Sequence, residues 1–164
     1  MEGPNNSKED LPRFELVRAT EADLDAYIAL EKTVGNSKTY SAMTEPADAL
    51  REIRDTTVYF IKRGETVLGD VAYEIKSPNH AYISGLLIHP DSRGQGLARA
   101  AMEKVLEEIA DKETIDLVTH PDNATAIALY ESVGFEIGER KENYFGDGEP
   151  RIVMTLKRQK EKKD

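Results

Sequence analysis

The stretch AYISGLLIHPDSRGQGLARAAMEKVLEEIADKETIDLVT, residues 81–119, decides the fold. Its apolar run at 81–88 predicts a buried strand, and apolar residues recur at helical spacing across 97–110. A second apolar run at 115–119 predicts another buried strand. Because a strand, a helix and a strand joined in this order almost always make a right-handed crossover, we expect the two strands to lie parallel in one sheet.

The flanking segments extend this unit into one mixed sheet. Turn residues separate short apolar runs before residue 81, which predicts an antiparallel meander, and Thr20 with Asp23 forms a capping box before the first helix. The predicted elements are strand 14–17, helices 24–31 and 46–53, strands 58–61, 67–75 and 81–88, helix 97–110, strand 115–119, helix 123–130 and strands 135–140 and 151–156. The fold class is therefore α/β (α+β), with a meander and one β-α-β crossover.

The composition is that of a single globular domain. The chain has 164 residues, of which 39% are hydrophobic and 32% charged, so it has enough apolar surface for one core. We expect a flexible leader at 1–12, the functional domain at 13–157 and a basic tail at 158–164. The tail is predicted to be a solvated end, with a contact for a polyanion as the alternative.

Several classes of function are excluded by composition. The absence of cysteine excludes disulfides, cysteine-based metal sites and a cysteine nucleophile, and it fits a reducing, cytoplasmic location. No apolar run approaches the ~20 residues of a membrane span, so we expect no membrane partner. A net charge of −9 argues against binding to nucleic acid, because phosphate groups repel an acidic surface.

The turn at 89–98, HPDSRGQGLA, predicts a receptacle for an anion. Gly94 and Gly96 remove side chains where the backbone enters a helix, whose first N–H groups are unpaired and carry partial positive charge. Arg93 adds a full positive charge. A purely structural turn is the alternative. A Walker loop is excluded because no Gly-Lys-Ser/Thr follows, and Arg99 stands where a dinucleotide fingerprint needs a small residue.

Two segments resemble the GNAT superfamily of N-acetyltransferases: LLIHPDSRGQGLARAAMEKVLEE at 86–108 and THPDNATAIALYESVGFEIGERKENYF at 119–145. The resemblance implies this superfamily's fold, acetyl-coenzyme A (acetyl-CoA) as the donor cosubstrate and an amine as acceptor. It implies that the pantetheine arm pairs with the backbone of Leu87 and Ile88 and contacts Asn123. It also implies that main-chain amides hold the pyrophosphate, contributed by Arg93, Gly94, Gln95, Gly96, Leu97 and Ala98.

The same resemblance suggests Tyr130 as the acid that protonates the departing thiolate, with a buried core tyrosine as the alternative. Without cysteine, direct attack in a ternary complex is favoured. The general base does not lie on strand 81–88, because that strand has no carboxylate. Val118 stands where the branch of the family that acts on ribosomal proteins carries Glu, and this argues against a ribosomal substrate. Glu74 is the best remaining carboxylate, and a water chain or a histidine is the alternative.

The acceptor is predicted to meet the loop KENYFGDGEP at 141–150. Tyr144 and Phe145 lie there among acidic residues, a setting that suits a cationic amine, whereas an ordinary hairpin turn is the alternative. Two His-Pro-Asp turns at 89–91 and 120–122 raise the possibility of a metal, but capping of the following helices is the simpler interpretation, and we expect no metal.

We therefore expect a small-molecule or peptide amine as acceptor and a monomer or homodimer. A non-catalytic module that binds coenzyme A is the alternative function, and a dinucleotide-binding domain is a third.

Overall fold

The computed structural model describes residues 12–158, which fold into seven strands and four helices in the predicted order. The elements are β1 (Glu15–Arg18), α1 (Leu24–Lys32), α2 (Pro46–Asp55), β2 (Thr57–Arg63), β3 (Thr66–Ser77), β4 (His80–Ile88), α3 (Leu97–Glu108), β5 (Thr114–Thr119), α4 (Ala124–Ser132), β6 (Glu136–Lys141) and β7 (Arg151–Lys157). The capping box before α1 is present, with the Thr20 N–H donating to Asp23 at 2.8 Å. The leader and tail predictions fall mostly on residues 1–11 and 159–164, outside the described residues.

The seven strands form one sheet in the order β1-β2-β3-β4-β5-β7-β6. Each neighbouring pair is antiparallel except β4 and β5, which are parallel and joined through α3. Both the meander and the crossover are therefore confirmed. They follow from connection length, because short turns reverse a chain, whereas parallel strands need a crossover element.

The parallel pair is joined at one end only. Residues His80–Tyr82 pair with Thr114–Asp116, and the pairing then stops. Beyond this point β4 continues along β3, and β5 continues along β7. Ser84 is an extra residue in the β3–β4 ladder, because Tyr73 pairs with Ile83 and Ala72 with Gly85. The sheet therefore splays in its middle, and the C-terminal half of β4 has one unpaired edge.

Two apolar clusters hold the helices against the sheet. One packs α1 and α2 against β2 and β3; its members include Tyr27, Leu30, Ala49, Ile53, Val58 and Phe60. The other packs α3 and α4 against the sheet; its members include Val71, Ile83, Leu97, Met102, Val105 and Ile115. No helix among residues 12–158 is long and apolar enough to cross a membrane.

The predicted tail begins in contact with the domain. The Arg158 guanidinium donates to the carbonyl oxygens of Leu106 and Ile109 at 2.8 and 2.9 Å. These carbonyls end α3, where a cation interacts favourably with the negative end of the helix dipole.

Candidate functional site

A cavity of about 800 Å³ opens where β4 and β5 separate. This is the size of a pocket for a small organic ligand. Its glycine-turn end consists of the turn at 93–98 and the adjoining edge of β4. Its loop end consists of the α1–α2 connection at 33–45 together with Phe145 and Arg151. One cavity thus joins the two regions that carry most of the predicted site residues.

The glycine turn has the conformation that an anion receptacle needs. Gly94 and Gly96 have φ angles of 81° and 78°, which L side chains rarely adopt, and a Cβ at either position would meet nothing within 4 Å. Within residues 12–158, none of the main-chain N–H groups from Gly94 to Arg99 donates to a protein acceptor. Because α3 begins at Leu97, these donors lie at the positive end of its dipole. This arrangement can hold a phosphate or pyrophosphate.

Two side chains of the turn make hydrogen bonds with other residues of the chain. The Arg93 guanidinium folds back, and its Nε donates to the Ile88 carbonyl at 3.4 Å. Gln95 Oε1 accepts from Arg63 Nη2 at 3.3 Å, and Gln95 is absent from the cavity wall, unlike Leu97 and Ala98. Gln95 can therefore contribute to this end only through its main chain.

The edge of β4 completes the glycine-turn end. Leu87 and Ile88 pair with β3 on one side and line the cavity on the other. Gly69 is the residue opposite Ile88, where a Cβ would lie 2.1 Å from the Leu87 carbonyl oxygen. Only glycine permits this close approach, so Gly69 fixes the position of the strand edge that faces the cavity.

Asn123 and Tyr130 bring α4 to the same cavity. The Asn123 Oδ1 accepts from the Ala126 N–H at 3.2 Å, so this residue caps α4 and also lines the cavity. Tyr130 is 8% exposed, with its ring edge-on to Phe135 at 6.0 Å. Its hydroxyl makes no hydrogen bond with any other residue that the structure describes, and burial raises its pKa to about 12. The hydroxyl therefore keeps its proton near neutral pH and can donate it.

The carboxylate proposed from the sequence lies elsewhere. Glu74 is absent from the cavity wall, and its side chain, 39% exposed, is 3.6 Å from the Lys76 ammonium group. Its role as base stays a prediction, without a contact in the cavity to support it. Val118 does line the cavity, so the wall is aliphatic at that point of β5.

The acidic residues of the loop at 141–150 are paired with basic residues that flank the loop or lie at the end of β5. Phe145 lines the cavity, but its ring lies 5.1 Å from the Arg151 guanidinium, and Tyr144 lies outside the wall with Lys141 at 6.0 Å. Each acid also has a partner within the chain: Glu142 with Arg140 at 2.5 Å, Asp147 with Arg151 at 3.3 Å and Glu149 with His120 at 2.7 Å. The loop therefore offers an apolar wall at Phe145 rather than the unpaired acids expected for binding a cation.

The two His-Pro-Asp turns have the same internal hydrogen bond. The Asp91 N–H donates to His89 Nδ1, and the Asp122 N–H donates to His120 Nδ1, both at 3.0 Å. Each imidazole thus caps the turn that follows its strand. Over residues 12–158 no group of three or more His, Asp or Glu side chains is arranged so that it could hold a metal ion.

Sequence reasoning missed an acidic cluster behind the loop end, formed by Glu31, Glu52 and Asp70. Glu31 and Asp70 are each 1% exposed, and their carboxyls are close enough to interact with each other. Glu52 accepts from the Ser84 hydroxyl at 2.6 Å. Burial first, and then the neighbouring Glu31, raises the pKa of Asp70 well above its usual value. Burial likewise raises the pKa of Glu52.

Two residues in the sequence pointed to this cluster, because each is an acid in an apolar pattern. Glu31 follows Leu24 and Tyr27 at helical spacing, on the face that packs against the sheet. Asp70 interrupts the otherwise apolar run from Val67 to Tyr73 in β3. A carboxylate on a buried face needs a partner or a function, so the two interruptions together could have been singled out.

Comparison with known proteins agrees with this geometry. The sequence profile of the acetyltransferase (GNAT) family matches residues 26–135. The [ribosomal protein bS18]-alanine N-acetyltransferase of Escherichia coli is 37% identical over 83 residues, which cover 48% of this chain and 56% of that protein. Among solved structures, the ribosomal-protein-S18-alanine N-acetyltransferase of E. coli superimposes with a TM-score of 0.76 at 22% identity, over 93% of this chain and 98% of that one.

A second solved structure carries a ligand. The acetyltransferase yncA of Salmonella typhimurium with its cofactor acetyl-CoA superimposes with a TM-score of 0.71 at 16% identity, over 93% of this chain and 98% of that one. At such identities the likeness shows a shared fold. The chain spans 33% and 56% of the length of the first two curated relatives that it matches.

Proposed function

Since the chain belongs to the acetyltransferase (GNAT) family, we propose that it transfers an acetyl group from acetyl-CoA to a primary amine by direct attack in a ternary complex. Family membership places it among acyltransferases, and this favours catalysis over the alternative of a non-catalytic module that binds coenzyme A. The observation that carries the proposal is the row of unpaired N–H groups from Gly94 to Arg99, which opens on a cavity that also holds the Tyr130 hydroxyl.

The glycine-turn end is proposed to bind the donor. Main-chain N–H groups of Arg93 to Ala98 hold the pyrophosphate, because they combine unpaired donors with the positive end of the α3 dipole. The unpaired edge of Leu87 and Ile88 hydrogen-bonds the pantetheine arm as an added strand would, and Asn123 contacts the arm from α4. A structural neighbour that was solved with its cofactor acetyl-CoA supports this donor.

The chemical step is proposed to use two groups of this chain. A main-chain N–H of Leu87 or Ile88 donates to the thioester carbonyl oxygen, which stabilises the negative charge that develops there. Tyr130 donates a proton to the departing thiolate; its buried position and raised pKa keep that proton available. With no cysteine in the chain, the amine attacks the thioester directly.

The acceptor is proposed to enter at the loop end. The name of the E. coli relative makes a peptide with an N-terminal alanine the first acceptor to test. The aliphatic Val118 at the place expected for a glutamate makes a small-molecule amine the second. Cytoplasmic location and a monomeric or dimeric state remain predictions.

Two measurements test the proposal. Acetyl-CoA should raise the unfolding temperature by several degrees, whereas NAD should leave it unchanged, since a ligand that binds only the folded state stabilises it. Thiol release should then depend on an amine, measured with an alanine peptide of bS18 and a panel of primary amines. Stabilisation by acetyl-CoA without release with any amine would favour the non-catalytic module, and stabilisation by NAD would refute both.

A further inference from the structure

The acidic cluster of Glu31, Glu52 and Asp70 has no cation to balance it. None of the three carboxylates takes part in an ion pair among residues 12–158, whereas all three acids of the 141–150 loop contact an arginine or a histidine. The Glu31 oxygens accept only from the Met43 N–H at 2.8 Å and, weakly, from the Tyr40 hydroxyl at 3.5 Å. A buried negative charge of this kind is costly, so its retention points to a use.

An orphaned atom provides a second and independent sign. Asp70 Oδ2 is buried and has no hydrogen-bond partner within the described part of the chain. Buried polar atoms are nearly always paired, so an unpaired one next to a residue that lines the cavity points to a functional use. Burial and the neighbouring Glu31 raise the pKa of Asp70, so we expect Asp70 to keep a proton that lies between the two carboxyls and to leave the pair a single negative charge.

The cluster reaches the cavity through Tyr40. Tyr40 and Gly85 both line the cavity, and the Cβ position of Gly85 is 3.4 Å from the Tyr40 hydroxyl and 4.0 Å from Asp70 Oδ1. The Asp70 carboxyl therefore lies next to the cavity wall at Gly85, which has no side chain, and the Glu31 carboxyl contacts the Tyr40 hydroxyl. Tyr40 and Tyr130, the predicted acid, line the same cavity.

We propose that the Glu31–Asp70 pair receives the proton that the acceptor amine loses, with the Tyr40 hydroxyl as the relay between amine and carboxylate. This inference rests on the proposed acetyl transfer and supplies the general base that neither β4 nor β5 contains. Tyr40 would contact the amine and act as a catalytic residue. Glu31 and Asp70 would hold the proton behind it.

The protons balance as follows. The amine enters as R–NH₃⁺ and gives one proton to the Tyr40 oxygen, while the Tyr40 proton passes to Glu31. The amine nitrogen then bonds to the acetyl carbon, the bond from that carbon to sulfur breaks, and the second proton lost by nitrogen replaces the one that Tyr130 gives to the thiolate. The proton on the carboxyl pair returns through Tyr40 to solvent when the amide leaves, so one proton is released per turnover.

The test compares a charged with an uncharged acceptor of the same shape. The probes are a primary alkylamine that the wild type acetylates and its β-trifluorinated analogue, which is neutral near pH 7. We expect Tyr40→Phe and Glu31→Gln to lower kcat/KM for the charged amine by about 10- to 100-fold, and for the neutral analogue by no more than about threefold. In the wild type, kcat/KM for the charged amine should fall as pH drops below neutral, and this acid limb should shift in Tyr40→Phe.

Tyr27→Phe is the matched control. Tyr27 is a buried tyrosine beside the same carboxylates but outside the cavity wall, so its variant should keep both rates. Equal losses with the two amines in Tyr40→Phe would indicate a structural role and overturn the relay, as would an unchanged rate with the charged amine. Donor affinity should be unchanged in each variant.

A stability measurement tests the shared proton without using activity. The groups facing Asp70 are Glu31 and Tyr27 from α1, Glu52 from α2 and Tyr40 from the connection between them. Folded Asp70 keeps its proton above the pH at which the unfolded chain loses it, about pH 4. The folded state therefore loses stability as pH rises from about 4 towards the pKa of folded Asp70. Over this range the folding equilibrium constant falls by up to about tenfold per pH unit.

Asp70→Asn removes that proton while its amide can still donate to Glu31. Urea unfolding near pH 5, 7 and 9 should show the variant gaining stability relative to wild type as pH rises. Parallel pH profiles would contradict the shared proton even if acetylation is observed. If no amine is turned over, the proposed function fails, and this profile alone decides whether the pair holds a proton.

Discussion

The two ends of the cavity differ in how they are built. The glycine-turn end uses main-chain atoms from one continuous segment, with unpaired N–H groups from Gly94 to Arg99 and the edge of β4. The loop end uses side chains from separate segments: Tyr40 from the α1–α2 connection, Ser84 from β4, and the carboxylates of α1, α2 and β3 behind them. Main-chain recognition suits a ligand part that never changes, whereas side chains set by distant elements can be altered one at a time.

The largest effect is expected from replacing Tyr130, the side chain proposed to take part in the reaction near the glycine-turn end. Tyr130→Phe should lower kcat by about 100-fold, because the thiolate then leaves without its acid. The dissociation constant of acetyl-CoA should stay within about twofold, measured by isothermal titration calorimetry. Tyr59→Phe is the control, because its hydroxyl bonds Glu108 far from the cavity. An unchanged kcat in Tyr130→Phe would remove this tyrosine from the mechanism.

An intermediate effect is expected from disturbing the backbone of the glycine turn, on which donor binding is proposed to depend. Gly96→Val places a branched side chain at a φ of 78° and should weaken acetyl-CoA binding by about 10- to 100-fold, as relief of roughly 1–3 kcal/mol of strain moves the amides. Gly64→Val provides the matched control, with a φ of 60° in an equally open turn away from the cavity. It should lose stability but keep its affinity for the donor. Normal affinity in Gly96→Val would refute the proposed pyrophosphate site.

The smallest expected effect concerns the loop end. His120 Nε2 bonds Glu149 at 2.7 Å and ties the 141–150 loop to the end of β5. Glu149→Ala should loosen the wall at Phe145 and raise the acceptor KM by about threefold, in line with one lost hydrogen bond, with donor affinity unchanged. Glu142→Ala removes an exposed pair from the same loop and should leave KM unchanged. A rise in both variants would indicate general disorder of the loop instead.

The difference between the two ends of the cavity also explains which features could be predicted from the sequence. The order of all strands and helices, the crossover and the turn at Gly94 and Gly96 follow from local apolar period and from residues that the backbone geometry requires. The loop end could not be read in this way. Glu74 was chosen as base because it lies in a neighbouring strand, but it pairs with Lys76 outside the cavity wall.

The buried carboxylates show what a choice made from the sequence could not take into account. Helix α2 and strand β2 separate Glu31 from Asp70 along the chain, and the packing of α1 on the sheet brings the two residues together. The acids around Tyr144 and Phe145 had the right composition for a cation site. They are occupied by Arg140, Arg151 and His120, which lie outside or at the border of the loop. Composition predicts which groups are present, and tertiary contacts decide which remain available.

The separation of β4 from β5 also bears on association between chains. An unpaired strand edge at the rim of a sheet can template aggregation by pairing with a neighbouring polypeptide. Here the open edges of β4 and β5 lie in the middle of the sheet, with α1 and α2 over one face and α3 over the other. A slender ligand can enter such a cleft and take up its hydrogen bonds, whereas the edge of another folded domain is too wide to reach them.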